Sequence, residues 1–372
     1  MRVLFTGGGT GGHMFPLIAV ARELKRVAEE ERILDVQFFY MGPLTVGDED
    51  LKKEDILYYP ILAGKMRRYF SIMNFIDIFK TGIGIIQSAW HLFILVPDII
   101  FSKGGYGSFP VLLIARIYRI PVVIHESDSV PGRVNTWAGK FARRIAIAFQ
   151  SAAKYFPADR TALLGNPVRT RILGGRADAS KEALSILSGD PVIFVTGGSQ
   201  GAEKINQTIT GILPDLLKKY EVIHQVGKAN LEAVKFETTT LLEHSEKLKY
   251  HLFGFLDETK LREAYAASDL VIARGGASAI FEVAALAKPS IIIPLKNSAQ
   301  DHQRENAYEY GRAGACVVIE EANLSPHLLY SEVERIFGDA ELRKKMNEAA
   351  RNFARMDASE LIAREILKLG LH

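Results

Sequence analysis

Cysteine is almost missing from this sequence: Cys316 is the single one in 372 residues. An intrachain disulfide and any cysteine-based metal cluster are therefore excluded. Cys316 itself, in the run Ala315-Cys316-Val317-Val318, reads as a small buried apolar residue rather than a reactive thiol. An excess of either charge is missing too. The 46 Lys and Arg are nearly balanced by 43 Asp and Glu, a net charge of +3, which is too little to argue for nucleic acid. A pI near 8.7 is compatible with an anionic surface or ligand. No run reads as a bilayer span: the most apolar stretch, 74–95, is interrupted by Asp77, Lys80, Gln87 and His91 and ended by Pro97-Asp98. No short-period repeat is visible. The chain enters its first strand directly, without a signal peptide, which predicts a reducing, cytoplasmic compartment.

What is present is ordinary in bulk. With 48% hydrophobic and 24% charged residues the chain is able to bury large cores, and its length suggests two domains at about 100–200 residues each. Strand-like runs at 3–6, 36–41, 99–102, 122–125 and 145–148 alternate with helix-like runs at 15–30, 74–95, 109–118 and 132–141. Such alternation predicts a parallel, doubly wound sheet. Turn signals gather over 157–190, including Gly165-Asn166-Pro167 and Gly174-Gly175, and a linker is expected there. The pattern then restarts: a strand at 192–196, a glycine turn at Gly197–Ala202, a helical run at 203–219, and strands at 222–225, 250–253, 270–273, 290–293 and 316–319. The expected fold is α/β, with two Rossmann-like doubly wound domains facing across a cleft. The expected division is 1–160, 161–350, and a C-terminal helix at 351–372 available to pack back on the first domain.

Ligands of such sheets sit beyond the carboxyl ends of the strands, so the polar residues there are the candidates. Phe5-Thr6-Gly7-Gly8-Gly9-Thr10-Gly11-Gly12-His13 is a strand, a glycine turn and a helix start, suited to a phosphate or a sugar. Its G-x-G-x-x-G pattern alone is weak. A dinucleotide site also wants an acidic residue after the second strand, and that strand ends Phe39-Tyr40-Met41-Gly42. His13 reads either as a cap for the turn or as a general base. His125-Glu126-Ser127-Asp128 either lines the site or, for Asp128, caps the helix starting near Gly132. Gly104-Gly105-Tyr106-Gly107-Ser108 is a third glycine turn, for packing or for a ligand. In Arg274-Gly275-Gly276-Ala277-Ser278-Ala279-Ile280-Phe281-Glu282 the carboxylate either accepts ribose hydroxyls or faces solvent. His302 and Glu305 have no third metal ligand beside them, and no Asp-x-Asp motif follows a strand. Finally, Lys65, Arg67, Arg68 and Lys80 flank Phe70, Phe75 and Phe79, which suits either a helix at an anionic membrane surface or a core helix.

Together these blocks resemble the MurG family of peptidoglycan glycosyltransferases. The resemblance runs nearly end to end, through GGGTGGHMFP, FSKGGYGSFP, HESDSVPG, GNPVR, VTGGSQGAEKIN, RGGASAIFE and HQRENA. It implies the GT-B fold, with the UDP-sugar donor on the C-terminal domain and the lipid acceptor on the N-terminal one. It implies an inverting transfer of N-acetylglucosamine from UDP-N-acetylglucosamine to the 4-hydroxyl of the N-acetylmuramoyl moiety of undecaprenyl-linked lipid I, forming lipid II. His13 is the candidate base. Thr10, Gly11 and Gly12 would touch the donor near its sugar and phosphates, Arg169 the nucleotide, Ser199 the diphosphate with Gln200 beside it, Leu256 uracil through its backbone, Glu282 the ribose and Gln303 the sugar. Asp128 stands where the family often has Asn, so it lacks an amide donor toward the sugar. The leaving diphosphate would be held by backbone N–H groups and a helix N-terminus, with no metal or cofactor required.

The same resemblance implies a peripheral enzyme on the cytoplasmic face of the cell membrane, with an anionic lipid surface and cell-wall synthesis proteins as partners and no nucleic acid. Readings on the same fold are a UDP-N-acetylglucosamine 2-epimerase and a diacylglycerol glycosyltransferase. A reading of another class is a non-catalytic UDP-sugar-binding module.

Overall fold

A computed structural model describes residues 1–8, 11–33, 35–43, 48–65, 72–198 and 201–371. They form two compact units, Met1–Val168 with Arg355–His372, and Arg169–Ala354.

The first unit is built on seven parallel strands: β1 (Arg2–Thr6), β2 (Gln37–Gly42), β3 (Ile56–Pro60), β4 (Ile99–Ser102), β5 (Val122–Glu126), β6 (Arg144–Ile147) and β7 (Thr161–Leu163). Their order is β3-β2-β1-β4-β5-β6-β7. The central strands are continuous apolar runs because helices cover both faces. Val3 and Phe5 of β1 pack into one core with the helix Gly11–Glu30, whereas Leu4 points into the opposite core with Leu92 and Val111. The C-terminal helix Ala358–Gly370 places Ile362, Ala363, Ile366 and Leu367 in the first of these cores. Arg364 donates to Glu31 at 2.9 Å and Arg144 to Glu365 at 2.6 Å along its edges.

The second unit has six parallel strands: β8 (Val192–Thr196), β9 (Glu221–Gln225), β10 (Tyr250–Phe253), β11 (Leu270–Arg274), β12 (Ser290–Ile293) and β13 (Cys316–Val318). Their order is β10-β9-β8-β11-β12-β13. Cys316 is half-buried in the edge strand, with its thiol 3.9 Å from the Ala307 carbonyl. In both sheets the order reverses once, between β1 and β4 and between β8 and β11. These switch points are where ligands of open α/β sheets bind, and each carries glycine turns at its carboxyl edge.

Two strands differ from the sequence reading. β3 is an exposed edge ending in Pro60, and β7 is three residues long inside the turn-rich stretch. Because β7 pairs with β6, with Ile147 opposite Leu163, residues 161–168 belong to the first unit instead of the second domain.

The helix Ile72–Leu95 corrects both apolar readings. By length and composition Phe75–Leu95 would suffice to cross a bilayer, so the interrupting charges do not exclude a span by themselves. The helix is instead joined to the first unit along one face. Leu92 and Leu95 are in the core, and the ring centroid of His91 lies 5.2 Å from that of Tyr59. A side chain at Gly84 would collide with the Leu62 carbonyl at 1.8 Å, so only glycine permits this approach. The opposite face is bare. Ile76, Phe79, Ile83, Ile86, Trp90 and Phe93 follow a spacing of three and four, and Phe79, Ile86 and Phe93 are 71%, 72% and 70% exposed. A wholly buried core helix is thereby ruled out. Arg67, Arg68 and Phe70 of the basic flank lie outside the described residues.

Candidate functional sites at the two switch points

In the first unit, His13 sits in the first turn of the helix Gly11–Glu30, directly after β1. Its half-buried imidazole donates from Nδ1 to the Lys103 carbonyl at 3.2 Å, across the switch point at the end of β4. That bond fixes the tautomer: the proton sits on Nδ1 and the basic lone pair on Nε2. This bond holds the ring in place under either reading of His13, as a cap or as a base. Glycines make room for the ring. A Cβ on Gly8 would lie 3.0 Å from His13 Cδ2, and one on Gly105, whose φ is +81°, would lie 3.1 Å from the Gly8 backbone and 3.4 Å from His13 Cε1. Gly105→Ala should therefore cost about 1–3 kcal/mol of stability and displace the imidazole. Denaturant midpoints and the His13 ring chemical shifts check this, and unchanged shifts would count against it. Thr10 lies outside the described residues, Gly11 begins the helix, and Gly12 is exposed with open space where a side chain would be.

Below the imidazole is a buried polar layer. Lys103 is 1% exposed, with its ammonium 2.6 Å from His125 Nδ1 and 3.3 Å from Asn166 Oδ1. His125 donates from Nε2 to the Gly165 carbonyl at 2.8 Å, so its Nδ1 accepts from Lys103. Burial, together with the Lys103 charge, holds His125 well below the usual histidine range. Burial also lowers Lys103, against the pull of Glu126 and Asp128. Glu126 is raised by burial and by Asp128. The Glu126 carboxylate accepts from Asp128 N at 3.0 Å, Gly132 N at 3.1 Å and Asn135 Nδ2 at 2.9 Å. The segment 127–132 is thus wrapped around this carboxyl group. Asp128 does not cap the next helix: the cap of Arg133–Ala138 is Gly132. Sequence reading missed Lys103, Asn135 and Asn166. A lysine inside Phe101-Ser102-Lys103-Gly104-Gly105 gave no sign of burial, since lysines are almost always solvated.

In the second unit, Arg169 meets Glu282 although 113 residues separate them. Arg169 Nε and Nη2 donate to Glu282 Oε1 at 2.8 and 2.6 Å, and the Tyr265 hydroxyl donates to Oε2 at 3.3 Å. Glu282 is only 6% exposed, which rules out the solvent-facing alternative. It occupies the second turn of the helix Ala277–Ala285, which opens at Gly276 after β11. Gln303 lies half-buried beside the same turn: a Cβ on Gly275 would meet its carbonyl at 2.5 Å, and its Oε1 accepts from Leu295 N at 3.0 Å. Asn306 donates to the Gly275 carbonyl at 3.2 Å. Two non-glycine residues just before, Gln300 and Asp301, have φ of 56° and 57°, a strain that clusters at ligand sites.

The glycine turn after β8 is held from beneath. Gly198 N donates to Thr196 Oγ1 at 3.1 Å, and Gln225 Nε2 to the Gly198 carbonyl at 3.2 Å. Gly201 packs so tightly that a Cβ would meet the Val226 carbonyl at 2.1 Å. Ser199 and Gln200 lie outside the described residues. Leu256 follows β10 with its side chain buried, just before Asp257 caps the helix Glu258–Ala267 by accepting from Lys260 N at 2.9 Å. Among the described residues no three His, Cys, Asp or Glu side chains gather as a metal donor set.

Known proteins share this organisation. Residues 3–147 match the profile of the glycosyltransferase family 28 N-terminal domain, and residues 192–362 that of the glycosyltransferase family 28 C-terminal domain. A Bacillus thuringiensis subsp. konkukian protein named UDP-N-acetylglucosamine–N-acetylmuramyl-(pentapeptide) pyrophosphoryl-undecaprenol N-acetylglucosamine transferase 2 is 36% identical over 346 residues, 92% of this chain and 93% of that protein. The crystal structure of Acinetobacter baumannii MurG superposes with a TM-score of 0.74 at 25% identity, covering 99% of both chains. UDP-GlcNAc 2-epimerase from Neisseria meningitidis, bound to UDP-GlcNAc, superposes with a TM-score of 0.69 at 15% identity over 99% of this chain and 100% of that one, a likeness of fold alone. The architecture is that of the GT-B glycosyltransferases, and the chain belongs to the MurG family within glycosyltransferase family 28.

Proposed function

We propose that this enzyme transfers N-acetylglucosamine from UDP-N-acetylglucosamine to the 4-hydroxyl of the N-acetylmuramoyl moiety of undecaprenyl-linked lipid I, forming lipid II with inversion at the anomeric carbon. The observation that carries the reading is His13: in a chain akin to N-acetylglucosamine transferases over 92% of its length, a histidine at the switch point has its Nδ1 proton tied to the Lys103 carbonyl, which makes Nε2 its basic nitrogen. As the acceptor oxygen attacks the anomeric carbon, its proton passes to Nε2 while the bond to UDP breaks. Backbone N–H groups of the glycine turns and the helix start at Ala277 receive the developing diphosphate charge.

In this reading the second unit holds the donor. Arg169 and Glu282 take the nucleoside, with ribose hydroxyls donating to the carboxylate, Ser199 and Gln200 the diphosphate, Leu256 uracil through its backbone, and Gln303 the sugar. The first unit supplies His13, Thr10, Gly11, Gly12 and Asp128. No metal or cofactor has a part in these steps. Incubation with labelled UDP-N-acetylglucosamine and a lipid I analogue tests the reading: label in a lipid-linked disaccharide is expected, and label confined to free UDP-sugars would overturn it.

The enzyme works as a peripheral protein on the cytoplasmic face of the membrane. The bare stripe from Ile76 to Phe93 supports this, because an enzyme handling only free UDP-sugars has no use for it. Lys80 lies on the same helix and Lys65 precedes it in the chain, charges suited to anionic headgroups. Replacing Phe75 and Phe79, which are 64% and 71% exposed, with Ser should lower partition onto anionic vesicles about tenfold or more. Transfer to a water-soluble acceptor should persist. Unchanged flotation with vesicles would remove this surface from the proposal.

A further inference from the structure

A buried ammonium is costly unless hydrogen bonds and opposite charge compensate it. The two partners of Lys103, His125 Nδ1 and Asn166 Oδ1, are both uncharged. The negative charges that act on it are Glu126 and Asp128. Topology puts them there: β4 and β5 pair with Ser102 beside Ile124, so the residues leaving the two strands run side by side. Glu126 is buried, and the short segment that hydrogen-bonds around its carboxylate carries a second carboxylate, Asp128. Two like charges in one loop disfavour each other. They would also repel substrates that carry diphosphates. Lys103 has a second tie to the chemistry, because its own carbonyl holds the His13 imidazole.

We propose that Lys103 is a positioning residue: its ammonium, clamped beneath segment 126–132 by His125 and Asn166, is the counter-charge that allows a carboxylate at position 128 and keeps that segment and the His13 turn in working geometry. The inference rests on the transfer reaction proposed above. An asparagine at 128 would need no such counter-charge, so the effects of residues 103 and 128 must be coupled.

The experiment is a double-mutant cycle in the full-length protein, with Lys103→Met, Asp128→Asn and both together. Lys103→Met should lower kcat/KM about thirtyfold, and adding Asp128→Asn should recover about tenfold of it. Thermal midpoints of the two Lys103 variants should agree within about 3 °C, so that recovery reflects charge and not refolding. A double variant as slow as Lys103→Met, or a Lys103→Met enzyme as fast as wild type, would overturn the proposal. Should Lys103→Met fail to fold, the half-buried Asp128→Asn variant still decides the matter. With lysine labelled at Cε, the Lys103 titration should move down by about half a pH unit or more when Asp128 is neutralised, and an unmoved titration overturns the proposal. This second measurement needs no turnover. If the wild-type chain transfers nothing, the functional reading fails while the charge coupling is still tested.

Discussion

His13→Ala is expected to reduce turnover at saturating substrate by about 10²–10⁴-fold, the range for removing a general base, while donor affinity changes by about twofold at most. The separation follows from position. His13 lies in the first unit on the carbonyl of Lys103, and the groups proposed to hold the nucleotide, Arg169 and Glu282, lie in the second. Deleting the imidazole removes a proton acceptor without touching the nucleoside site. His13→Gln sharpens the test. Glutamine can still donate to the Lys103 carbonyl but takes no proton, so it should retain the fold of the turn and share the catalytic loss. Single-turnover rates with a lipid I analogue, alongside calorimetric donor binding, measure both quantities.

If His13→Ala turned over at the wild-type rate, the base would lie elsewhere. Glu126 and Asp128, the carboxylates at the end of β5 and just beyond it, would then be next in line. The structure separates them: the oxygens of Glu126 already accept from three N–H donors beneath the surface, which leaves Asp128 as the one to test.

The parallel sheets and glycine turns were legible because their signals are local. An apolar run, a glycine cluster and a helical period adjoin in the chain, and among the described residues the strands and helices reappear where expected around 3–8 and 11–13, 99–108, 192–198 and 201–203, and 270–282. β3 was passed over although Ile56-Leu57-Tyr58-Tyr59 is an apolar run, because Pro60 follows it directly, and β7 was not legible because three residues inside a turn-rich stretch carry too short a signal. The helix Ile72–Leu95 was legible as a helix but not in its orientation. A stripe at spacing three and four looks the same whether it meets a core or a lipid surface, and exposure of Ile86 and Phe93 excludes the core. The polar layer under His13 was half legible. His125 and Glu126 announced themselves as polar residues at a strand end. Lys103 did not, because only the pairing of β4 with β5 brings its side chain onto His125. Arg169 and Glu282 were each singled out, but nothing in the chain shows that they touch.

That contact leads to the other large expected effect. Glu282→Ala should destabilise the protein by about 3–5 kcal/mol, because it strands the buried Arg169 guanidinium without its counter-ion. It also deprives the buried Tyr265 hydroxyl of its acceptor. The pair joins the first residue of the second unit to the helix Ala277–Ala285, so its loss loosens the wall of the proposed nucleoside site. Replacing both charges, Arg169→Met with Glu282→Met, should be milder, since no unpaired charge remains and two apolar side chains fill the space. Stability and binding then part company. Glu282 Oε1 is taken by two N–H groups of Arg169, whereas Oε2 accepts the longer bond from Tyr265, and a carboxylate oxygen has acceptor capacity for ribose hydroxyls as well. The double variant should therefore regain most of the stability but still bind UDP-N-acetylglucosamine about 100-fold more weakly, a loss typical of removing charged hydrogen bonds to a ligand. Urea midpoints and donor titrations on the three variants distinguish the terms. A double variant that binds donor as tightly as wild type would reduce the pair to a structural brace and move nucleoside recognition to other residues of the second unit.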